Sequence, residues 1–223
     1  MTLREALLNI HRDPHWWQKV GIGGAPALTG VGIPWSVGTV TVSLDNALKG
    51  FSYPLPPWND WGTRYIIGVF TQLLDLVFFG FPLLIMALFA CCALAISTMS
   101  SNPAVTDWVV LITTGIIVAL ELMLFTLSIR PIGRLIFLTE GRVEDAMSMR
   151  PLHEALGPGT RNMYFRARLQ SLPIYLPILL WFILQSSFPG LWIVGLLILW
   201  LSLSTLFYAH LVVVQLYATA NKS

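Results

Sequence analysis

Apolar residues in this chain run in long blocks, and four blocks are long enough to be read as membrane-crossing helices: 65–98, 107–129, 172–187 and 191–217. Inside lipid the backbone must satisfy its own polar groups, so each block is expected to be helical. Asn102-Pro103 and Phe188-Pro189-Gly190 supply the turns between paired blocks, and Phe81-Pro82 predicts a bend inside the first. A fifth apolar block, 20–44, is interrupted by Gly21, Gly23, Gly24, Pro26, Gly30, Gly32, Pro34 and Gly38. It is expected either to dip in and return, broken near Gly30–Pro34, or to cross as a fifth helix.

The flanking pattern is amphipathic. Thr2 and Glu5 form a capping box ahead of Leu3, Leu7 and Ile10, and Asp13-Pro14 reads as a second helix start. Residues 1–19 are therefore expected to form short interfacial helices. In 45–64 the run Pro54-Leu55-Pro56-Pro57-Trp58 forbids helix, and Asp60 is placed to cap the helix that follows. Arg130-Pro131 is expected to mark the exit of block 107–129. Residues 130–171 then hold short amphipathic pieces with a stop at Gly157-Pro158-Gly159. The fold class is an all-α integral membrane protein: one domain over 1–223, four transmembrane helices, and the broken element.

Composition supports this. The chain is 56% hydrophobic and 11% charged, whereas soluble domains carry roughly 25% charged residues. Charge placement then sets an orientation. Seven arginines lie between Arg130 and Arg168, and no Lys or Arg lies between Arg64 and Arg130. The positive-inside rule puts 130–171 in the cytoplasm, with the basic N-terminus (Arg4, Arg12, Lys19) and the C-terminus on the same side, in a bacterial cytoplasmic membrane. A single crossing by 20–44 would break that agreement, which favours the re-entrant form. Cys91 and Cys92 are adjacent and cannot staple the fold, and no cysteine–histidine spacing suits a metal. The small net charge of +2 implies no nucleic-acid partner.

Ionisable residues inside apolar blocks are costly and so are candidates for chemistry. Counted from the basic edges at 1.5 Å per residue, Asp75, Glu121 and His210 fall about 12–16 Å deep, with Gln72 one turn from Asp75. They could share a proton, a cation or a pigment metal; equally, the carboxyls could stay protonated and bond to backbone or Gln72. His210 is either a haem or chlorophyll ligand or an interhelical donor. Gly21, Ala25 and Thr29 recur every four residues as a close-packing face, while Thr29-Gly30-Val31-Gly32 has the make-up of a carbonyl-lined filter. Arg161, Arg166 and Arg168 could dock anionic lipid or an acidic partner, or act only as topology determinants. Trp16, Trp17, Trp58 and Trp61 are expected to contact the lipid interface or a partner. No phosphate loop, nucleophile elbow or His-Glu-x-x-His occurs, so no enzyme is expected.

Four motifs carry a resemblance: Asp13-Pro14-His15-Trp16 with Lys19 and Ile22-Gly23-Gly24; Leu55-Pro56-Pro57-Trp58-Asn59-Asp60-Trp61-Gly62; Glu140-Gly141-Arg142 before Ala146-Met147; and Phe207-Tyr208-Ala209-His210-Leu211 with Gln215-Leu216-Tyr217. In that order they resemble the uncharacterised prokaryotic polytopic membrane family known as the domain of unknown function numbered four thousand and thirteen. The resemblance implies a shared fold and no activity. Two functions are expected to compete. One is a non-catalytic accessory or scaffolding subunit of a larger bacterial membrane complex, respiratory or photosynthetic. The other is a small ion or proton-coupled permease using Asp75 and Glu121.

Overall fold

A computed structural model describes residues 2–99, 103–187 and 192–220, and no strand occurs among them. Of the expected turns, Phe188-Pro189-Gly190 and Asn102 lie outside the described residues; Pro103 is the first residue of a helix.

The N-terminal segment forms two short helices, α1 (Leu3–His11) and α2 (Trp16–Gly24). The capping box is present: Glu5 N–H donates to the Thr2 hydroxyl, and Thr2 N–H donates to the Glu5 carboxylate. The second start is displaced from Asp13-Pro14. His15 is the N-cap residue of α2, and the Asp13 carboxylate instead accepts from His15 N–H within the connecting turn.

The broken element runs from α2 through a 3-10 turn, Pro26–Thr29, into α3 (Ile33–Lys49). The break falls where glycine and proline predict it, though the helices extend past 20–44 at both ends. Near the entry, Asp13 and Lys19 share a surface cleft with Asn46 and Phe51 near the exit, and Lys19 Nζ donates to the Leu55 carbonyl. The element therefore leaves and returns at one region. Its glycines do pack closely, on a set that shares only Gly21 with the expected Gly21, Ala25 and Thr29. The Gly21 carbonyl accepts from the Trp200 indole N–H at 3.0 Å, a Cβ at Gly23 would collide with Phe207, and one at Gly24 with Ser204. Thr29 instead closes its own turn, donating to the Pro26 carbonyl and accepting from Gly32 N–H. Residues 29–31 are exposed.

Residues 51–60 are irregular, as the prolines require. Asp60 sits at the N-cap of α4 (Trp61–Asp75) with φ 57°, and its side chain makes no capping bond. Tryptophans hold the segment in place: Trp58 and Trp61 both stack on the buried Trp35, with centroids 5.7 and 4.4 Å away. α4 continues through a π-turn, Leu76–Gly80, into α5 (Phe81–Met99). There Phe81 N–H bonds five residues back to Leu76. Pro82 has no N–H to donate, and the widened turn accommodates it. The whole helix, Trp61–Met99, has 39 residues, or about 58 Å, nearly twice a hydrocarbon core of roughly 30 Å. Arg64, from which depth is counted, is buried, with its carbonyl against Gly38.

α6 (Pro103–Thr126) ends before the expected exit. Ser128, at φ 59°, reverses the chain, and α7 (Ile129–Glu140) starts next, so Arg130-Pro131 falls in its first turn, where proline is tolerated. α8 (Val143–Met147), α9 (Arg150–Leu156) and α10 (Arg161–Ser171) follow, with α9 capped by Gly157. Block 172–187 divides into a 3-10 turn, Leu172–Tyr175, and α11 (Leu176–Ser187). The last helix is α12 (Trp192–Ala220).

Among the described residues, three helices are long and apolar enough to cross a membrane: Trp61–Met99, Ala104–Thr126 and Trp192–Ala220. The segment 172–187 is not among them. The core lies around the C-terminal half of α12, where Ala209, Leu211–Ala218 and their neighbours Ile10, Leu44 and Ile132 are buried. α1, α2, α3 and α10 pack around α12, and α3 packs on α4. By contrast α5 packs chiefly on α6, and the pair is apolar and exposed on nearly every face, which suits lipid contact.

Candidate functional site

Polar side chains gather where the covered helices meet the exposed pair. Asp75 ends α4, immediately before the π-turn, and α7 brings two arginines to it. Arg134 Nη2 donates to Asp75 Oδ2 at 2.9 Å, and Arg130 Nε lies 3.8 Å from Oδ1. Asp75 is thus ion-paired with Arg134. The arginines also rest on aromatic faces from the roots of the exposed pair. Arg130 lies 3.8 Å over the Phe79 ring, and Arg168 lies 4.0 Å over the Phe125 ring. Such contacts are strongest for a desolvated guanidinium, which Arg168 is, at 5% exposed, and the exposed Arg130 is not.

Two cavities adjoin at this cluster. The larger, about 550 Å³, is lined by Gln72, Asp75, Arg130, Arg134 and His210 together with Ser36 and mostly apolar residues of α2, α3, α5 and α12. The smaller, about 140 Å³, shares Phe79, Arg130, Arg134 and His210, and adds Glu121, Arg168 and Tyr175. Of the four expected site residues, Gln72, Asp75 and His210 therefore meet in one cavity, and Glu121 joins His210 in the next. Nδ1 of His210 is 2.9 Å from the Leu206 carbonyl, one turn back, and donates to it when protonated. Buried polar atoms without a hydrogen-bond partner include Glu121 Oε1, Arg134 Nε and Arg168 Nε.

Arg130 and Arg134 are site residues that sequence reasoning misses. They follow an apolar block and so read as topology markers, and the return of α7 onto α4 has no local signature. Nor do Arg161, Arg166 and Arg168 form one patch. Arg161 and Arg166 are exposed on α10, whereas Arg168 is buried between Phe125 and Tyr217. Helical rotation separates them. Of the tryptophans, Trp17 and Trp61 are exposed; Trp16 packs on His11 and Tyr208, and Trp58 stacks on Trp35.

Below the cluster, Tyr217 and Ser128 hydroxyls meet at 2.5 Å in the core, and Tyr164 stacks on Tyr217 with centroids 6.0 Å apart. Burial, with Glu154 nearby, pushes the Tyr164 hydroxyl up to about 12.

Comparison with known families gives a match to the model described as "Protein of unknown function (DUF4013)" over residues 25–186, more than half of the chain. The Asp13–Gly24 and Phe207–Tyr217 motifs fall outside the matched stretch. No curated protein and no solved structure matches.

Proposed function

We propose, for a chain that belongs to the DUF4013 family of unknown function, the role of a non-catalytic integral membrane subunit that packs against neighbouring membrane helices. One observation carries this reading: the α5–α6 pair is long, apolar and uncovered. Leu84, Leu88 and Phe89 on α5 and Leu111, Ile112 and Leu122 on α6 are all more than half exposed. Helices in lipid gain specificity from packing on one another rather than from burial alone. A pair bound mainly to itself leaves its lateral faces for a partner. The basic stretch 130–171 faces the cytoplasm in this reading, and the α2–α3 element dips into the bilayer and returns.

The exposed Cys91 and Cys92 on α5 provide the test. A thiol-reactive crosslinker applied to native membranes should give adducts larger than the 24.8 kDa chain, and C91S/C92S should abolish them. Absence of adducts, with elution from mild detergent as a monomer, would reject the subunit role.

The cavities support a second reading, a small permease using Asp75 and Glu121. It ranks lower because a cation at Asp75 must displace the Arg134 contact. Proteoliposome flux that survives D75N/E121Q, or no flux in the parent, ends it.

A further inference from the structure

The two adjoining cavities hold more positive than negative groups. In the larger cavity Arg130 and Arg134 share one carboxylate, Asp75, a surplus of one positive charge when it is ionised. Asp75 engages Arg134 closely and Arg130 at longer range. Arg168 forms no ion pair among the described residues and lies on the Phe125 and Tyr217 rings. Arg134 is 8% exposed, and its Nε has no hydrogen-bond partner although its Nη2 donates to Asp75; Arg168, 5% exposed, lines only the smaller cavity, beside Tyr175. Guanidinium groups withdrawn from water are costly unless an anion meets them. One more anion would complete this cluster.

The rest of the larger cavity says what that anion is attached to. Apart from these groups and Ser36, whose hydroxyl donates to the Gly23 carbonyl, the wall is mostly apolar and includes Ile33, Val37, Val40, Leu203 and Leu206. A volume of about 550 Å³ falls among small-molecule sites, which are mostly apolar with a few polar groups fixing orientation. Leu83 of the uncovered α5 belongs both to this wall and to the outer surface. The cavity therefore borders a face suited to lipid, and a ligand entering there carries an apolar tail.

We propose that the cavity binds an amphiphile with an oxyanion head group, a carboxylate or a phosphate. Its head oxygens accept from Arg134 and Arg130, and its tail lies along the Val37–Leu206 wall. The cavity's charged side chains, Asp75, Arg130 and Arg134, all lie at its polar end, so the head group sits there and competes with Asp75 for the two arginines. The inference is independent of the subunit reading, since it is measured on the isolated chain.

The test uses the full chain in detergent, with native mass spectrometry against four probes: oleate, dioleoylphosphatidate, dioleoylglycerol and inorganic phosphate. One oleate or one phosphatidate should bind per chain, at least about tenfold more tightly than dioleoylglycerol or phosphate; whichever binds identifies the source of the oxyanion. R134Q should weaken that binding by about tenfold or more, with R134K retaining part of it. V37W, which fills the tail wall, should also weaken it, whereas D75N, which removes the competing anion, should tighten it. If R134Q does not elute as a folded protein, V37W and D75N decide. Equal binding of dioleoylglycerol would mean an apolar slot without anion recognition, and equal binding of phosphate a site for free anions. Either result overturns the proposal, as do no binding at all, unchanged binding in a folded R134Q, and unchanged binding in both V37W and D75N.

Discussion

Arg134 and Asp75, 59 residues apart in the chain, meet at 2.9 Å and join α7 to the end of α4. Neither side chain is more than one-fifth exposed. Removing one partner strands the other in a partly dry site. We expect D75A and R134A each to cost about 2–4 kcal/mol. The double variant should cost less than the sum of the two. Thermal unfolding in detergent gives the cycle, and additive losses would show that the two groups do not interact.

α3 and α4 approach most closely at Gly38 and Gly68. A Cβ on Gly38 would collide with the Arg64 carbonyl, and one on Gly68 with the Pro34 carbonyl. Backbone cannot move aside as a flexible side chain can, so G38A and G68A are each expected to cost about 1–3 kcal/mol. G62A serves as the control, because a Cβ there meets nothing within 4 Å. Unfolding midpoints that fall equally for all three would contradict this packing.

Tyr217 and Ser128 share a buried hydrogen bond at 2.5 Å. Y217F leaves the Ser128 hydroxyl without that partner and should cost about 1–2 kcal/mol. Adding S128A to Y217F should recover part of the loss, since the stranded hydroxyl is then removed as well. Chemical denaturation of the single and double variants measures both steps.

Tyr164 gives an alkaline signature. Its folded hydroxyl titrates near 12, raised first by burial, against about 10 when unfolded. Below pH 10 both states are neutral and the contribution is intact. Between about 10 and 12 the unfolded state loses its proton first, so stability falls as pH rises. Y164F should flatten that fall. Unfolding midpoints measured from pH 9 to 12 decide it, and parallel curves for the two proteins would refute the raised value.

Much of the fold was legible because it follows from local chemistry. Thr2 and Glu5 announce a capping box, Pro82 announces an irregularity that the structure shows as the π-turn Leu76–Gly80, and Gly157 ends α9. Gly30 and Pro34 mark the break between α2 and α3. The candidate site was only half legible. Asp75, Gln72, Glu121 and His210 stand out because polar groups in apolar runs are conspicuous, whereas Arg130, Arg134 and Arg168 look like ordinary flanking charge.

By itself, then, the sequence determined the helical class, three of the apolar helices suited to lipid, the first helix start and the approximate places of the bend and the break. Each of these depends on residues within about one turn of one another, through capping, a missing N–H or hydrocarbon length. Only the tertiary structure decided that α7 folds back on α4 and turns Asp75 into an ion-paired carboxylate, that Arg168 leaves Arg161 and Arg166 to lie on Phe125, and that Glu121 occupies a neighbouring cavity. Those outcomes depend on the reversal at Ser128 and on the helical rotation of α10, which set direction in three dimensions and leave no periodic trace in the chain.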